Sequence, residues 1–399
     1  MRVQHTAHAF PAFPVYSSSF ASENKLILGG GGGAAKSGIK NKLKLYTVKD
    51  DRSIELSDEF ELAAGEDAPM SMASHPDGKS FVCGVNSAAS DLQKGVNENC
   101  RLFSIENGRL SLTRTQGTIV VSDGGDDYQK VTVVSPDGKL VAVAGSNTLH
   151  LLSYPSLTPV AEPVRTEQEI YDATFSKSQL VIATTANLQV YNIPEGTPAK
   201  PSPSKSKKKG KQKVASSTNA TLVLDRTVEV PESLGGRAGN TFRAARFHAK
   251  DDNILYTVMN TIPKRTRSKS SPKQAFICKW NTDSWSVEKT RKIGDRSITC
   301  FAVSPDGKFL GYGSSDLSVG LLDAVTLNPA VSILKAHEFS VTTIVFNPSS
   351  KLLVSGGADH SIRVVSIPEV TSSNWGFMMF VLLAIIVIFI AFFAQKRLA

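Results

Sequence analysis

The sequence predicts an all-β protein, a ring of seven four-stranded sheets (a seven-bladed β-propeller), followed by one C-terminal transmembrane helix. Three observations carry that reading. A phrase recurs: His75-Pro76-Asp77-Gly78-Lys79, Ser135-Pro136-Asp137-Gly138-Lys139 and Ser304-Pro305-Asp306-Gly307-Lys308. Proline presets φ, aspartate bonds its own backbone and glycine accepts positive φ, so each copy is a tight turn. Period-2 apolar runs flank the copies, as in Val341-Thr342-Thr343-Ile344-Val345-Phe346 before the last, weaker one and Lys351-Leu352-Leu353-Val354-Ser355 after it, which is strand–turn–strand. Finally, Pro305 and Pro348 are about 43 residues apart, the length of a four-stranded propeller blade.

Counting copies, including the weaker ones at Phe175-Ser176, Phe247-His248 and Phe346-Asn347, places blades at 15–62, 69–115, 128–165, 168–230, 240–292, 297–334 and 341–367. The seventh shows only three strands. A closed ring has no free edge, so the N-terminal run 2–7 is expected to supply the fourth. Residues 1–367 thus form the propeller. The last repeat is the clearest: Ala336-His337, Phe346-Asn347-Pro348, Leu352–Asp359 and Ser361-Ile362-Arg363-Val364 resemble a WD repeat, with Val364-Val365 in place of Trp-Asp. His337, Ser355 and Asp359 have the residue types of a hydrolytic triad. No nucleophile elbow or oxyanion motif accompanies them, and in WD repeats these positions form a structural hydrogen-bond network.

Two insertions interrupt the blades. Residues 195–219, rich in Pro, Ser and Lys with Lys207-Lys208-Lys209, fall between the third and fourth strands of blade four; 261–274 fall between the second and third strands of blade five. Their composition reads as disordered loops. The net charge of +9 resides there: residues 200–213 and 263–273 carry twelve Lys and Arg and no acid, and the remainder has 33 basic to 36 acidic side chains. The body is therefore not basic, which gives little support to nucleic-acid binding. The lysines suit anionic lipid if the protein sits at a membrane. Cys83, Cys100, Cys278 and Cys300 are far apart with no Cys-x-x-Cys, so neither a zinc site nor a disulfide framework is expected.

From Trp375 to Ala394 run twenty residues with no charge and no proline, enough to span roughly 30 Å of hydrocarbon. Residues 368–374 form a juxtamembrane linker and 395–399 a short tail. No apolar h-region follows Met1, so the body is expected in the cytosol and the tail in the lumen. Lys396 and Arg397 run against the positive-inside rule, and an occupied Asn219-Ala220-Thr221 sequon would reverse this topology.

Gly29-Gly30-Gly31-Gly32-Gly33, within a loop at 29–41 between the second and third strands of blade one, is costly to order and supplies no core side chain. Residues 30–37, GGGGAAKS, nearly match a phosphate-binding loop, but Ala35 replaces its second glycine and a strand follows where a helix must start. GGGG, a variable stretch and Gly38-Ile39-Lys40-Asn41-Lys42-Leu43, on the first blade of a propeller with a C-terminal anchor, resemble the family of endoplasmic-reticulum exchange factors for Sar-type small GTPases. Asp126-Asp127-Tyr128-Gln129-Lys130 fits that pattern too. The resemblance implies a guanine-nucleotide exchange factor promoting GDP release and starting COPII coat assembly in ER-to-Golgi transport, with no bond chemistry and no nucleotide or nucleic acid bound. It places the chain in the ER membrane, extending to the Golgi membrane, single-pass with a cytosolic propeller. It implies a loop of Gly29, Gly30, Gly31, Gly32, Gly33, Gly38, Ile39 and Asn41 that contacts the GTPase, and a potassium ion on oxygens near Gly31, Gly32 and Asn41. Lys36, inside the loop, sets a positive charge near that ion. A tail-anchored propeller scaffold or tether without exchange activity is the alternative reading.

Overall fold

The computed structural model describes residues 3–34, 38–120, 127–193, 220–263, 273–368 and 383–387. The chain divides into two compact units, 1–366 and 367–399. The first contains seven four-stranded antiparallel sheets. Their innermost strands, Val15–Phe20, Ser71–Ser74, Val131–Val134, Ile170–Phe175, Asn240–His248, Ile298–Val303 and Val341–Phe346, touch in cyclic order, the last against the first. This is a closed seven-bladed propeller. In each blade we letter the strands a to d from the channel outwards.

The turn phrase forms as its residues dictate. Gly78, Gly138 and Gly307 have φ of 70°, 73° and 78°. Their N–H groups donate to the carbonyls of His75, Ser135 and Ser304 at 3.0, 2.9 and 2.8 Å. Asp77, Asp137 and Asp306 each accept from the N–H two residues on, at 2.8, 3.1 and 3.0 Å. Two of the turns also join blades: His75 Nε2 lies 3.0 Å from the Gly138 carbonyl, and His248 Nε2 3.1 Å from that of Gly307. The b strands are apolar on both faces. Leu26, Ile27 and Leu28 are fully buried, as are Val141, Ala142 and Val143. The core therefore consists of apolar layers between consecutive blades, and only the a strands can carry polar side chains inward, towards the channel.

Blade seven takes its outermost strand from the N-terminus. His5–Ala9 pairs antiparallel with Ser361–Val365, starting three residues later than the 2–7 run expected from sequence. What sets its position lies outside the strand. Phe10 and Phe13 must reach the layer between blades seven and one, where they pack with Val15, Tyr46, Ile362 and Val364.

His337, Ser355 and Asp359 meet in this blade and are buried. His337 Nε2 is 2.8 Å from Ser355 Oγ, and its Nδ1 is 3.1 Å from Asp359 Oδ2. Asp359 also accepts from Glu338 N at 2.7 Å and Ser361 Oγ at 2.8 Å. The network pins the link between blades six and seven to strand b, through Ser355, and to the b–c turn, through Asp359. Burial holds the His337 imidazole below its ordinary 6.5 despite the Asp359 carboxylate. Burial also pushes the Asp359 carboxyl up, but the Glu338 N–H, Ser361 and His337 together hold it below 3.8. Both signs agree. Between its folded value and 6.5 the unfolded imidazole binds a proton that the folded one refuses. The depressed carboxylate loses its contribution as pH falls through its own folded value. The melting temperature is expected to fall as pH drops from about 6.5, and His337→Gln should flatten that slope in calorimetric scans.

The 193–222 connection joins strands c and d of blade four, whereas the glycine loop and the 261–275 connection each join b to c. The former opens on one face of the ring and the latter two on the other. Residues 195–219 lie outside the described residues except as that connection, and 264–272 do likewise. Of the 375–394 run only 383–387 are described, as a short helical stretch. Among the described residues no helix is long and apolar enough to cross a membrane.

Candidate functional site: the blade-one glycine loop

The glycine run does not lie wholly in the loop. Strand b of blade one is Lys25–Gly30 and strand c is Lys42–Val48. Gly29 pairs with Leu43 and Gly30 with Lys42. Both are buried in strand b, whereas the sequence predicts them in the loop. A Cβ on Gly29 would sit 2.5 Å from Ser17 Oγ and 2.7 Å from Pro69 Cβ, and one on Gly30 2.1 Å from the Pro14 carbonyl oxygen. Gly29 leaves room for the Ser17, Pro69 and Met72 side chains, and Gly30 for the Pro14 backbone that passes against the strand. Gly31 closes the approach: its N–H donates to Pro14 O at 3.1 Å, and its φ of 137° is open to glycine alone. Gly30→Ala should therefore destabilise by about 1–3 kcal/mol through overpacking, read as a lower urea midpoint. Gly38→Ala meets open space, so only its φ of 77° is strained and the loss should be smaller.

The loop proper, 31–41, is held by Asn41, which is buried. Its Oδ1 accepts from Gly33 N at 2.9 Å, and its Nδ2 donates to Gly33 O at 3.0 Å. This ring of bonds folds the glycines back on the start of strand c. The same Nδ2 donates to Glu66 O at 2.7 Å, and Asn41 O accepts from Leu62 N at 3.0 Å. The loop is thereby tied to 62–70, the link between blades one and two. Asn41 is thus a clamp on its own loop. Gly32, Gly33 and Ile39 are half-buried, Ala34 and Gly38 exposed, and 35–37, with Lys36, lie outside the described residues.

Glu66 organises the link. Its Oε1 pairs with Arg101 Nη2 at 2.6 Å, both side chains nearly buried at 15% and 5% exposure, and its Oε2 accepts from Ala63 N at 2.8 Å. Arg101 Nε donates to Glu98 O at 3.1 Å. Asp67 sets its Oδ1 beside Gly33 and accepts from Ala68 N at 2.7 Å. Glu66, Asp67 and Arg101 were not singled out from sequence. They flank the loop only because blade two packs beside blade one, and no spacing announces it.

The oxygens near Gly33 are hard donors: the Gly33 and Glu66 carbonyls and Asn41 Oδ1, each bonded within the clamp, and the neighbouring Asp67 carboxylate. Such a set suits an alkali or alkaline-earth cation and not a soft metal. Among the described residues there is no cluster of three His, Cys, Asp or Glu side chains that could hold a metal. Nucleophilic thiols are not on offer either. Burial pushes Cys100 and Cys278 up to about 12 and Cys300 up to about 11, and Cys83 higher still. Asp127 and Gln129 of the second family-like stretch are structural. Asp127 Oδ1 accepts from Ser146 N and Tyr128 N at 2.9 Å. Gln129 Oε1 accepts from Asn99 Nδ2 at 2.8 Å.

Residues 328–366 match the WD domain, G-beta repeat family, covering the repeat with the clearest sequence signature. Over nearly the whole chain the similarity is to exchange factors. The chain is 24% identical over 375 residues to "Guanine nucleotide-exchange factor SEC12" of Candida glabrata, covering 92% of this chain and 73% of that one. It is 24% identical to "SEC12-like protein 2" of Arabidopsis thaliana, covering 84% and 74%. To "Guanine nucleotide-exchange factor SEC12" of Mus musculus it is also 24% identical, covering 84% and 82%.

Proposed function

We propose that this chain, a propeller alike along its length to the SEC12-type exchange factors, is a guanine-nucleotide exchange factor for a Sar-type small GTPase. In this reading it starts COPII coat assembly at the endoplasmic-reticulum membrane. The observation that carries it is the clamped glycine loop: a glycine- and alanine-rich tip, held on two strands by Asn41 and offered on one face of the ring. Such a tip can approach another protein's backbone closely. Because Asn41 has already ordered it, little further entropy is lost on binding. A loop that fits the nucleotide-free GTPase better than the GDP-bound one must, by reciprocity, weaken GDP binding. No bond is made or broken by this chain.

Gly32, Gly33, Ala34, Gly38 and Ile39 are the contacting part of the loop, and Gly29, Gly30, Gly31 and Asn41 its support. A potassium ion bound by the carbonyls near Gly31, Gly32 and Gly33, with Asn41 Oδ1 and Asp67, would supply charge that stiffens the tip. Residues 375–394 anchor the chain in the membrane, and Lys207, Lys208 and Lys209 meet anionic lipid. The test is GDP release from a Sar-type GTPase, followed by tryptophan or labelled-nucleotide fluorescence, with potassium and with sodium. Acceleration by the full chain is expected; none would leave the scaffold reading. A rate independent of the cation would remove the ion alone.

A further inference from the structure

At the face of the ring that carries the glycine loop, the a strands enclose a polar cavity of about 200 Å³ in the channel. Its cations are Lys130, Arg243 and Arg246, and its carboxylate is Asp172. Two of these charges cancel. Asp172, almost fully buried, is bonded to Arg246 Nη1 and accepts from Ala173 N at 2.9 Å and Ala245 N at 3.0 Å. Lys130 turns its ammonium to Glu169 on the rim. Arg243 differs. Its guanidinium has no hydrogen bond or ion pair among the described residues, and it stacks on the Tyr171 ring at 5.3 Å. The Tyr171 and Tyr16 hydroxyls, which also line the cavity, likewise have no acceptor among the described residues.

A half-buried guanidinium with five donors and no acceptor is costly unless something supplies the oxygens. Its planar fork matches two oxygens of a phosphate, and the two phenols add donors and no negative charge. The volume would hold about six or seven waters, so it suits one phosphate group with a small substituent and excludes a polymer.

We propose that this end of the channel is a binding site for a phosphate-bearing small molecule. Arg243 is its anchor, and Tyr16 and Tyr171 are its hydroxyl donors. The site is separate from the glycine loop and does not depend on the exchange reading.

The test is calorimetric titration and thermal melting of the full chain with inorganic phosphate and glycerol phosphate, against chloride at matched ionic strength. Saturable binding and a raised melting temperature are expected with both phosphates and not with chloride. Arg243→Gln should weaken binding about tenfold or more, Tyr171→Phe less, and Arg243→Lys should retain part of it. Vesicles of phosphatidylcholine with and without phosphatidic acid separate the sources. Arg243-dependent sedimentation with the acidic vesicles assigns a lipid headgroup, and binding of the soluble probes alone assigns a free phosphate compound. No binding beyond the chloride control would overturn the proposal. So would equal binding by Arg243→Gln or, if that variant does not fold, undiminished binding by Tyr171→Phe.

Discussion

Asn41→Ala should promote GDP release from the GTPase with kcat/KM lowered about 30- to 150-fold, while melting within a few degrees of the unsubstituted protein. The substitution removes the three side-chain bonds at 2.9, 3.0 and 2.7 Å that hold Gly33 and reach Glu66. At about 1 kcal/mol each, the loss is about 2–3 kcal/mol. Very little of it should appear in global stability, because the loop can fray without opening a blade. The loss appears instead on docking, when glycines that Asn41 had ordered must be ordered by the GTPase at about 1–2 kcal/mol per residue. Lys40→Ala is the matched control. It removes only the pair with Glu61, 66% and 42% exposed, a contact worth a fraction of a kcal/mol in water, and should leave the rate nearly unchanged. Equal rates for Asn41→Ala and the unsubstituted chain would mean that the clamp is not what exchange uses.

What the sequence made legible follows from how local each signal is. The blades could be read because Pro-Asp-Gly-Lys carries its turn within four residues and the b strands are apolar on both faces. The inward network of His337, Ser355 and Asp359 could be read because one repeat contains it whole. The closing strand was expected at 2–7 and found at His5–Ala9, because Phe10 and Phe13 place it by packing against residues some 350 positions away in the chain. The glycine run was read as one loop, yet Gly29 and Gly30 belong to strand b. The difference is made by Pro14 and Pro69 lying against them, and no pattern in 29–33 records that approach. Glu66 and Arg101 were invisible for the same reason: their pairing spans two blades.

That pair makes the second large prediction. Arg101 is 5% exposed and Glu66 15%, so Arg101→Met strands a carboxylate in a nearly dry site. Breaking a buried pair in this way costs about 3–5 kcal/mol, far more than an exposed pair would, and the denaturant midpoint should fall accordingly. A second effect is local. Glu66 holds Asn41 through its backbone carbonyl, and that carbonyl is placed by the side chain above it, which Arg101 and the Ala63 N–H hold from two sides. Arg101→Met should therefore speed amide hydrogen exchange in the loop 31–41 more than in strands a and b of blade four, which lie across the ring. Adding Glu66→Leu removes the stranded charge and should recover much of the midpoint, since an apolar pair of similar volume is close to neutral at such sites. The coupling between the two substitutions is then about 1–3 kcal/mol. A denaturant midpoint for Arg101→Met equal to that of the unsubstituted chain would show that water reaches the pair, and would remove it as the support of the glycine loop.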